Sequence, residues 1–367
     1  MGELNEKEKL LLSYIEENPF MTQQELSERS GISRSAVAGY ISNLVKQGKL
    51  LGRAYVLPKK NGITCIGGAN IDRKMQLKGN MIPETSNPAR TEQTSGGVAR
   101  NIAENLGRLG RDANLVTVVG EDTGGSWLLA QTKSFANISG SQRLLNENTG
   151  TYSAILDKKG EMMFALADMD IYESVDIDFI EKRWSLISSS EMVILDTNFP
   201  DYVLKYIIRR CHTEGIPLTV IPVSEPKVKK LPTSLEGVTW FICNKGEAEV
   251  YLDMKIETEG DYFKAAKALT LKGAERVVIT RGDQGLIYYT TYKEARAVLP
   301  PKVDVEDVTG AGDALVAGIL FGYLKGSDTD GACRIGVVCS SITLQSKYTV
   351  APTLNKSKLQ QEFSLYY

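Results

Sequence analysis

DVTGAGDALVAGILFGYL, residues 307–324, sets Gly310, Ala311 and Gly312 in front of Asp313 and an apolar run to Leu324. From Ala314 onward the run is apolar enough to be a helix buried in a core. A small-residue loop at the start of such a helix leaves backbone N–H groups unpaired, and the helix dipole favours an anion there. A phosphoryl group in transfer carries that kind of charge, so Gly310, Ala311 and Gly312 form a candidate anion hole. A carboxylate at its mouth would repel phosphate unless it has another task. Accepting a proton from an attacking hydroxyl is such a task for Asp313. The alternative is that Asp313 only caps the helix.

Upstream, apolar segments alternate with helical ones. ITCIGGANID (63–72), NLVTVVGED (114–122), MVILDTN (192–198), PLTVIPVS (217–224), TWFICNKGEAE (239–249) and RVVITRGDQG (276–285) read as buried strands. Helical patterns at 98–109, 124–136, 201–214, 246–252 and 260–272 separate most of them. Such alternation predicts an α/β domain with a largely parallel sheet, its functional residues at the carboxyl ends of the strands. TGTYSAILDKKGEMMFALADMD (149–170) alternates instead across Asp157–Gly160, a hairpin pattern that suggests a lid or small side sheet. There is no internal repeat and no low-complexity tract.

The first 58 residues have a different texture. Leu4, Leu11, Leu12 and Ile15 fall near helical spacing. Thr22 with Glu25 is a capping box, its helix ending at Gly31, and a third helix runs from Ser33 to Gly48. KLLGRAYVLP (49–58) reads as two short strands around Gly52 and Arg53. Three helices and a small hairpin resemble the winged helix-turn-helix domains that precede some bacterial metabolic enzymes, such as the biotin ligase–repressor. Residues 31–60 hold six bases (Arg34, Lys46, Lys49, Arg53, Lys59, Lys60) and no acid. Duplex DNA is the expected partner, approached by Ser33, Arg34, Ser35 and Tyr40 at the groove and by Arg53 on the wing. A dimerisation module is the alternative.

The 367 residues leave room for two domains, and a hydrophobic share of 42% with 24% charged is that of a soluble globular chain. A net charge of −2 rules out an overall basic coat. No apolar stretch approaches the roughly 20 residues of a membrane span. The N-terminus lacks a signal-peptide core, so a cytoplasmic protein is expected. Cys65, Cys211, Cys243, Cys333 and Cys339 are scattered and form no CxxC pair, which predicts buried thiols rather than zinc or disulfides. His212, the single histidine, falls at the end of a likely helix.

Two further segments carry candidate contacts. In SGGVARNIAENLGRLG (95–110), Gly96 and Gly97 leave the backbone bare, and Asn101 can donate and accept. At the end of the first strand, Asn70 and Asp72 offer contacts to neighbouring sugar hydroxyls. With GGVARNIA (96–103), NKGE (244–247) and DVTGAGDA (307–314), the chain resembles the PfkB (ribokinase-like) carbohydrate kinases from about residue 63 to 360.

The resemblance implies a ribokinase-like three-layer sandwich over 62–367. Its central sheet is mostly parallel, with a small β lid at about 72–95 and 148–170, behind a winged helix at 1–58. It also implies ATP and Mg²⁺ as cofactors and a nucleoside or sugar substrate. Asp313 matches the general base, and Gly310, Ala311 and Gly312 match the anion hole. Asp72, Gly96, Gly97 and Asn101 match sugar contacts. Asn244 and Glu247 match the element that organises Mg²⁺ and phosphate, often through water. Thr280, Gly282 and Gly285 match the turn over the ATP phosphates, to which Gly310 and Gly312 also belong. Asp307 and Thr309 match part of a monovalent-cation site, for K⁺.

Ribokinases usually carry a lysine where this chain has Val98. The stretches 86–110, 147–162, 167–172 and 339–349 are instead similar to bacterial pseudouridine kinases. That similarity implies phosphorylation of the 5′-hydroxyl of pseudouridine, with Asn148 and Thr149 in the first lid strand and Asp168-Met169-Asp170 after the hairpin. There Asp168 would accept from the N–H groups of the uracil ring. Otherwise Asp168 is an exposed hairpin-end acid. Another nucleoside, ribose or fructose stays open as substrate, as does a regulator whose kinase-like domain senses a nucleoside. An intact base and anion hole argue against the sensor alone, and a homodimer is expected.

Overall fold

The computed structural model describes residues 4–18, 21–50 and 62–367. At the front stand three helices, Glu6–Glu17, Gln23–Ser30 and Arg34–Lys46. Their starts are set by side chains that satisfy the free first-turn amides. Thr22 and Glu25 make the expected capping box, Asn5 and Glu8 make another, and Ser33 accepts from Ala36. Leu11, Ile15, Leu26, Val37, Ile41 and Leu44 close a separate small core. Arg34 and Ser35 are exposed in the first turn of the third helix, whereas Tyr40 packs against the core. The expected wing strands, with Arg53, lie outside the described residues.

The larger unit is built on an eight-stranded sheet. In chain order its strands and those beside it are β1 (Ile63–Ile66), β2 (Asn70–Leu77), β3 (Ala89–Gly96), β4 (Ala113–Val116), β5 (Val118–Gly120), β6 (Gln142–Leu144) and β7 (Thr151–Leu156). Then follow β8 (Met162–Asp168), β9 (Met192–Asp196), β10 (Leu218–Ile221), β11 (Trp240–Asn244), β12 (Arg276–Thr280), β13 (Leu286–Thr290) and β14 (Ala295–Val298). The sheet order is β14-β13-β12-β11-β10-β9-β1-β4. Six strands are parallel, and β13 and β14 add an antiparallel edge that the sequence reading did not separate from the preceding turn.

Strand alternation sorts the apolar residues onto two faces. Met192 and Ile194 join one core with the Val98–Arg108, Ala311–Tyr323 and Thr329–Leu344 helices. Val193 and Leu195 join the other with the Asp201–Glu214 and Glu259–Leu271 helices. The result is the expected three-layer sandwich. NLVTVVGED proves to be two strands rather than one. The chain turns at Thr117, whose carbonyl accepts from Gln142, and β5 leaves the sheet to pair with β6.

The lid is a second sheet, ordered β3-β2-β7-β8. Its hairpin closes where expected, with Asp157 N–H on the Glu161 carbonyl and Gly160 at φ 89°. All five cysteines are free and buried, and His212 lies in the last turn of its helix. Among the described residues no helix is long and apolar enough to cross a membrane.

Both large cores are made of residues beyond 62, and the front helices have their own. Deleting residues 1–58 is therefore expected to leave a cooperative melt, within a few degrees of the full chain's main transition. Calorimetry of the truncated and full-length proteins measures this, and loss of the transition would show that the two parts fold together.

Candidate active site

The site grows from the carboxyl ends of β1 and β9. Asp196 ends β9 fully buried. It accepts from the backbone of Gly68 (2.8 Å), Ala99 (3.1 Å) and Asn198 (2.9 Å), and from the Asn198 side chain (2.9 Å). A Cβ on Gly67 would lie 2.1 Å from the Asp196 carboxyl carbon, so only glycine fits there. One carboxylate thus ties the Gly67-Gly68 turn, the start of the Val98–Arg108 helix and the loop after β9. Burial pushes its pKa up, against the pull of these N–H donors.

The Ala311–Tyr323 helix aims its first turn at this junction. Gly310, its N-cap, is at φ 81°, and a Cβ there would meet the Thr349 carbonyl oxygen at 1.9 Å. With no capping side chain, the amides of Gly312 and Asp313 have no acceptor among the described residues. That is the arrangement an anion hole requires. Asp313 is half-buried beside them, and its Oδ2 accepts from Asn101 Nδ2 at 2.8 Å. Burial, with Asp196 and Asp72 nearby, pushes the Asp313 carboxyl up to about 7, against the opposing pull of Asn101 and Arg100.

Arg100 explains the orientation of Asn101. It is buried, and it donates to Asn101 Oδ1 (3.0 Å), to Thr132 Oγ1 (3.2 Å) and to Glu104. A guanidinium can only donate, so the Asn101 oxygen faces it and the NH₂ faces Asp313. Asn101, expected as a sugar contact, thus spends its carbonyl on Arg100 and one N–H on the candidate base.

Asp72 lies on β2 opposite Thr94 of β3, with Asn70 Nδ2 on its Oδ1 at 2.6 Å. Burial raises its carboxyl to about 6, against the pull of Asn70, Arg100 and Lys74. The paired glycines have structural reasons of their own. A Cβ on Gly96 would fall 2.2 Å from Asp72 Oδ2, and one on Gly97, at φ 98°, 2.4 Å from the Gly68 carbonyl. The room they leave is filled by this chain, so the missing Cβ has a structural cause beside the expected substrate contact.

Thr149 is corrected. It lies before β7 rather than in it. Its hydroxyl donates to Asp122 (2.7 Å) and accepts from Gly120 N–H (3.0 Å), and its own N–H donates to Asp122 (2.8 Å). Asp168, exposed at the end of β8, pairs with Thr151, which pairs with Ile71. It therefore stands level with the Asn70–Asp72 end of β2.

The nucleotide candidates gather along the same sheet edge. Asn244 ends β11 in register with Thr280, which ends β12. Asn244 and Glu247 form a capping box in which Glu247 Oε2 accepts from Asn244 N–H at 2.9 Å. Glu247 is buried, and burial, with Glu225 adding to it against the Asn244 hydrogen bonds, pushes its carboxyl up to about 7. An acid whose charge raises a buried carboxyl beside it supplies, with that carboxyl, the oxygen donors a divalent cation takes, so Glu247 and Glu225 fit Mg²⁺. Gly282 (φ 62°) and Gly285 (φ 81°) make the turn after β12, which Arg281 braces against Glu259 and the Gln284 carbonyl. Asp307 accepts from the N–H and hydroxyl of Thr309 at 2.9 and 2.7 Å, and pairs with Lys74 of the lid.

Sequence reasoning missed Asp196, Arg100, Lys74 and Glu225. Only Asp196 had a signal, a carboxylate ending a wholly apolar strand.

The model of the pfkB family carbohydrate kinases matches residues 60–356, and a winged helix-turn-helix DNA-binding model matches residues 4–50. The chain is 29% identical over 355 residues to the uncharacterized sugar kinase YeiI of Escherichia coli strain K12, covering 96% of this chain and 97% of that protein. It is 32% identical over 298 residues to the pseudouridine kinase of the same strain, covering 81% and 95%. Among solved structures, a putative sugar kinase from Clostridium perfringens superposes with a TM-score of 0.74 at 27% identity, covering 84% and 96%.

A base must be ionised to accept a proton, so turnover is expected to rise with pH to a midpoint near the Asp313 value of about 7. Asn101→Ala removes a donor that pulls this value down, and the limb should move to higher pH. Asp313→Asn should cost roughly 10²–10⁴ in turnover. A carboxyl raised on folding binds more protons in the native than in the unfolded state, between about 3.9 and the folded value. Wild-type stability should therefore fall as pH rises through that window. Asp313→Asn should melt above wild type near pH 8 and no higher near pH 4, which calorimetry at the two values checks. An unshifted limb and equal melting near pH 8 would remove the assignment.

Proposed function

The chain belongs to the pfkB family of carbohydrate kinases, and from that premise we propose that it transfers the γ-phosphoryl group of ATP to the 5′-hydroxyl of pseudouridine. The observation that carries the chemistry is Asp313, held by Asn101 beside free first-turn amides. In the step, the substrate O5′ attacks the γ-phosphorus and its proton passes to an Asp313 carboxylate oxygen. The bond from phosphorus to the β,γ-bridging oxygen breaks, and ADP leaves with that oxygen. The Gly310–Gly312 loop and the Gly312 and Asp313 amides stabilise the charge on the transferred group. Asp72 holds the ribose, Asn70 orients Asp72, and Asn101 and Arg100 position the base. Thr280, Gly282, Gly285 and Asn244 face the nucleotide. Glu247 and Glu225 would hold Mg²⁺, which supplies charge neutralisation between phosphates.

The 32% identity to a pseudouridine kinase supports the nucleoside substrate, as does Asp168 beside the Asn70–Asp72 end of the lid. A guanosine-inosine kinase of Exiguobacterium acetylicum, 25% identical over 288 residues, keeps other nucleosides in view. The match to a winged helix-turn-helix supports a second role on duplex DNA, with Ser33, Arg34 and Ser35 at the groove. Met162, Met163, Phe164 and Leu166, exposed on the edge strand β8, support a homodimer joined through the lid. Five unpaired thiols suit the cytoplasm.

The test is ADP release across a panel of pseudouridine, uridine, adenosine, ribose and fructose. Pseudouridine should give the highest kcat/KM, and Asp168→Asn should lower it for pseudouridine while sparing ribose. A win for ribose or fructose would leave the kinase and remove this substrate. For DNA, genomic fragments retained by the protein should shift in a gel with affinity falling as salt rises, and Arg34→Ala should weaken the shift without touching phosphotransfer. No retained sequence from a folded front domain would leave it as a dimerisation module.

A further inference from the structure

Lys74 has no part in the step above, yet it sits at the edge of the machinery. It is two residues from Asp72 on β2, so strand alternation sends both side chains from the same face of the lid. Its ammonium pairs with Asp307 Oδ2, while Oδ1 takes the N–H and the hydroxyl of Thr309. Asp307 is half-buried. Burial alone would raise its carboxyl, but the hydrogen bonds from Lys74 and Thr309 outweigh that and hold it below its ordinary value.

The family resemblance puts Asp307 and Thr309 in a monovalent-cation site. The residues do not fit the ion. A cation needs oxygens with lone pairs turned toward it. Here the outer carboxylate oxygen, the one that Thr309 leaves open, already faces an ammonium. We propose that Lys74 is itself the cation of this loop, and that the kinase works without a monovalent ion.

The reason for a cation there is electrostatic. Asp307 lies three residues before Gly310, and an unneutralised carboxylate so close would oppose negative charge in the anion hole. An ammonium is a compact point charge with three donors and can neutralise Asp307 as a bound ion would. Because Lys74 rides on the lid strand that carries Asp72, the neutralising charge belongs to the lid, and it faces the loop only when the lid does.

The experiment compares full-length wild type and Lys74→Met in KCl and in choline chloride at equal ionic strength. Thermal melting needs no substrate, so it stands whatever the nucleoside proves to be. Wild type should melt alike in both salts. Lys74→Met should melt roughly 2–4 °C higher in KCl, because the vacated loop now binds the ion. The double variant Lys74→Met/Asp307→Asn should lose that difference. Using the substrate that wins the panel, wild-type ADP release should be equal in both salts. Lys74→Met should fall roughly tenfold or more in choline and recover in KCl or NH₄Cl. Wild type stabilised or activated by K⁺ over choline would overturn the proposal. So would a Lys74→Met protein indifferent to K⁺ in both measurements. If Lys74→Met does not fold, the wild-type salt comparison decides alone.

Discussion

The carboxylate of Asp196 is the constraint around which the site is assembled. Burying an ionised carboxyl costs several kcal/mol unless its lone pairs are taken up. Here Gly68, Ala99 and Asn198 supply four N–H groups. Each comes from a segment that must hold still, namely the end of β1, the first turn of the Val98–Arg108 helix and the loop after β9. Gly67 has to be glycine because the carboxyl fills the space of its Cβ. Lys227 extends the arrangement by donating to Asn198 at 2.5 Å. Removing Asp196 would leave four donors unpaired and let the helix that carries Asn101 drift from the helix that carries Asp313.

The same charge has a chemical consequence. Asp196, Asp72 and Asp313 all bear on one small volume, with buried Arg100 as a counter-charge. A helix N-terminus by itself would favour an ionised Asp313. Burial and the two neighbouring carboxylates prevail instead, and the carboxyl is pushed up to about 7. The fold gives up stability to keep a raised carboxyl there, a trade that suits the base proposed above.

What was legible in the sequence follows range of interaction. The Thr22–Glu25 box, the Asp157–Gly160 turn and the strand-helix alternation are set within a few residues, and the structure has them where the pattern put them. Gly310 was readable because the apolar run after Asp313 marks a helix whose start falls at the small-residue loop. Lys74 with Asp307, and Glu225 with Glu247, join segments far apart in the chain, and no local pattern encodes them. Thr149 misled because a hydroxyl near a hairpin has the same composition whether it awaits a ligand or braces Asp122. The glycines of 96–97 signal close approach, and the structure shows that Asp72 and the Gly68 backbone make it. The β13–β14 edge was lost because LIYYT directly follows the RGDQG turn and reads as its continuation.

Among the raised carboxyls, Asp313 and Glu247 share a cause. Each is buried beside a second acid, Asp196 or Asp72 for the first and Glu225 for the second. In the proposed complex, positive charge arriving with the nucleotide would offset that repulsion and favour ionised Glu247. No cation is set aside for Asp313, whose nearest positive group, Arg100, is already bound to Glu104. As the proposed base, Asp313 would exchange a proton with a hydroxyl, and a carboxyl near 7 is closer in basicity to that task than an ordinary aspartate. In the proposed reaction Glu247 would lose a proton when the nucleotide binds, and Asp313 would gain one from the substrate. In both places one desolvated carboxyl stands beside the charge of another acid.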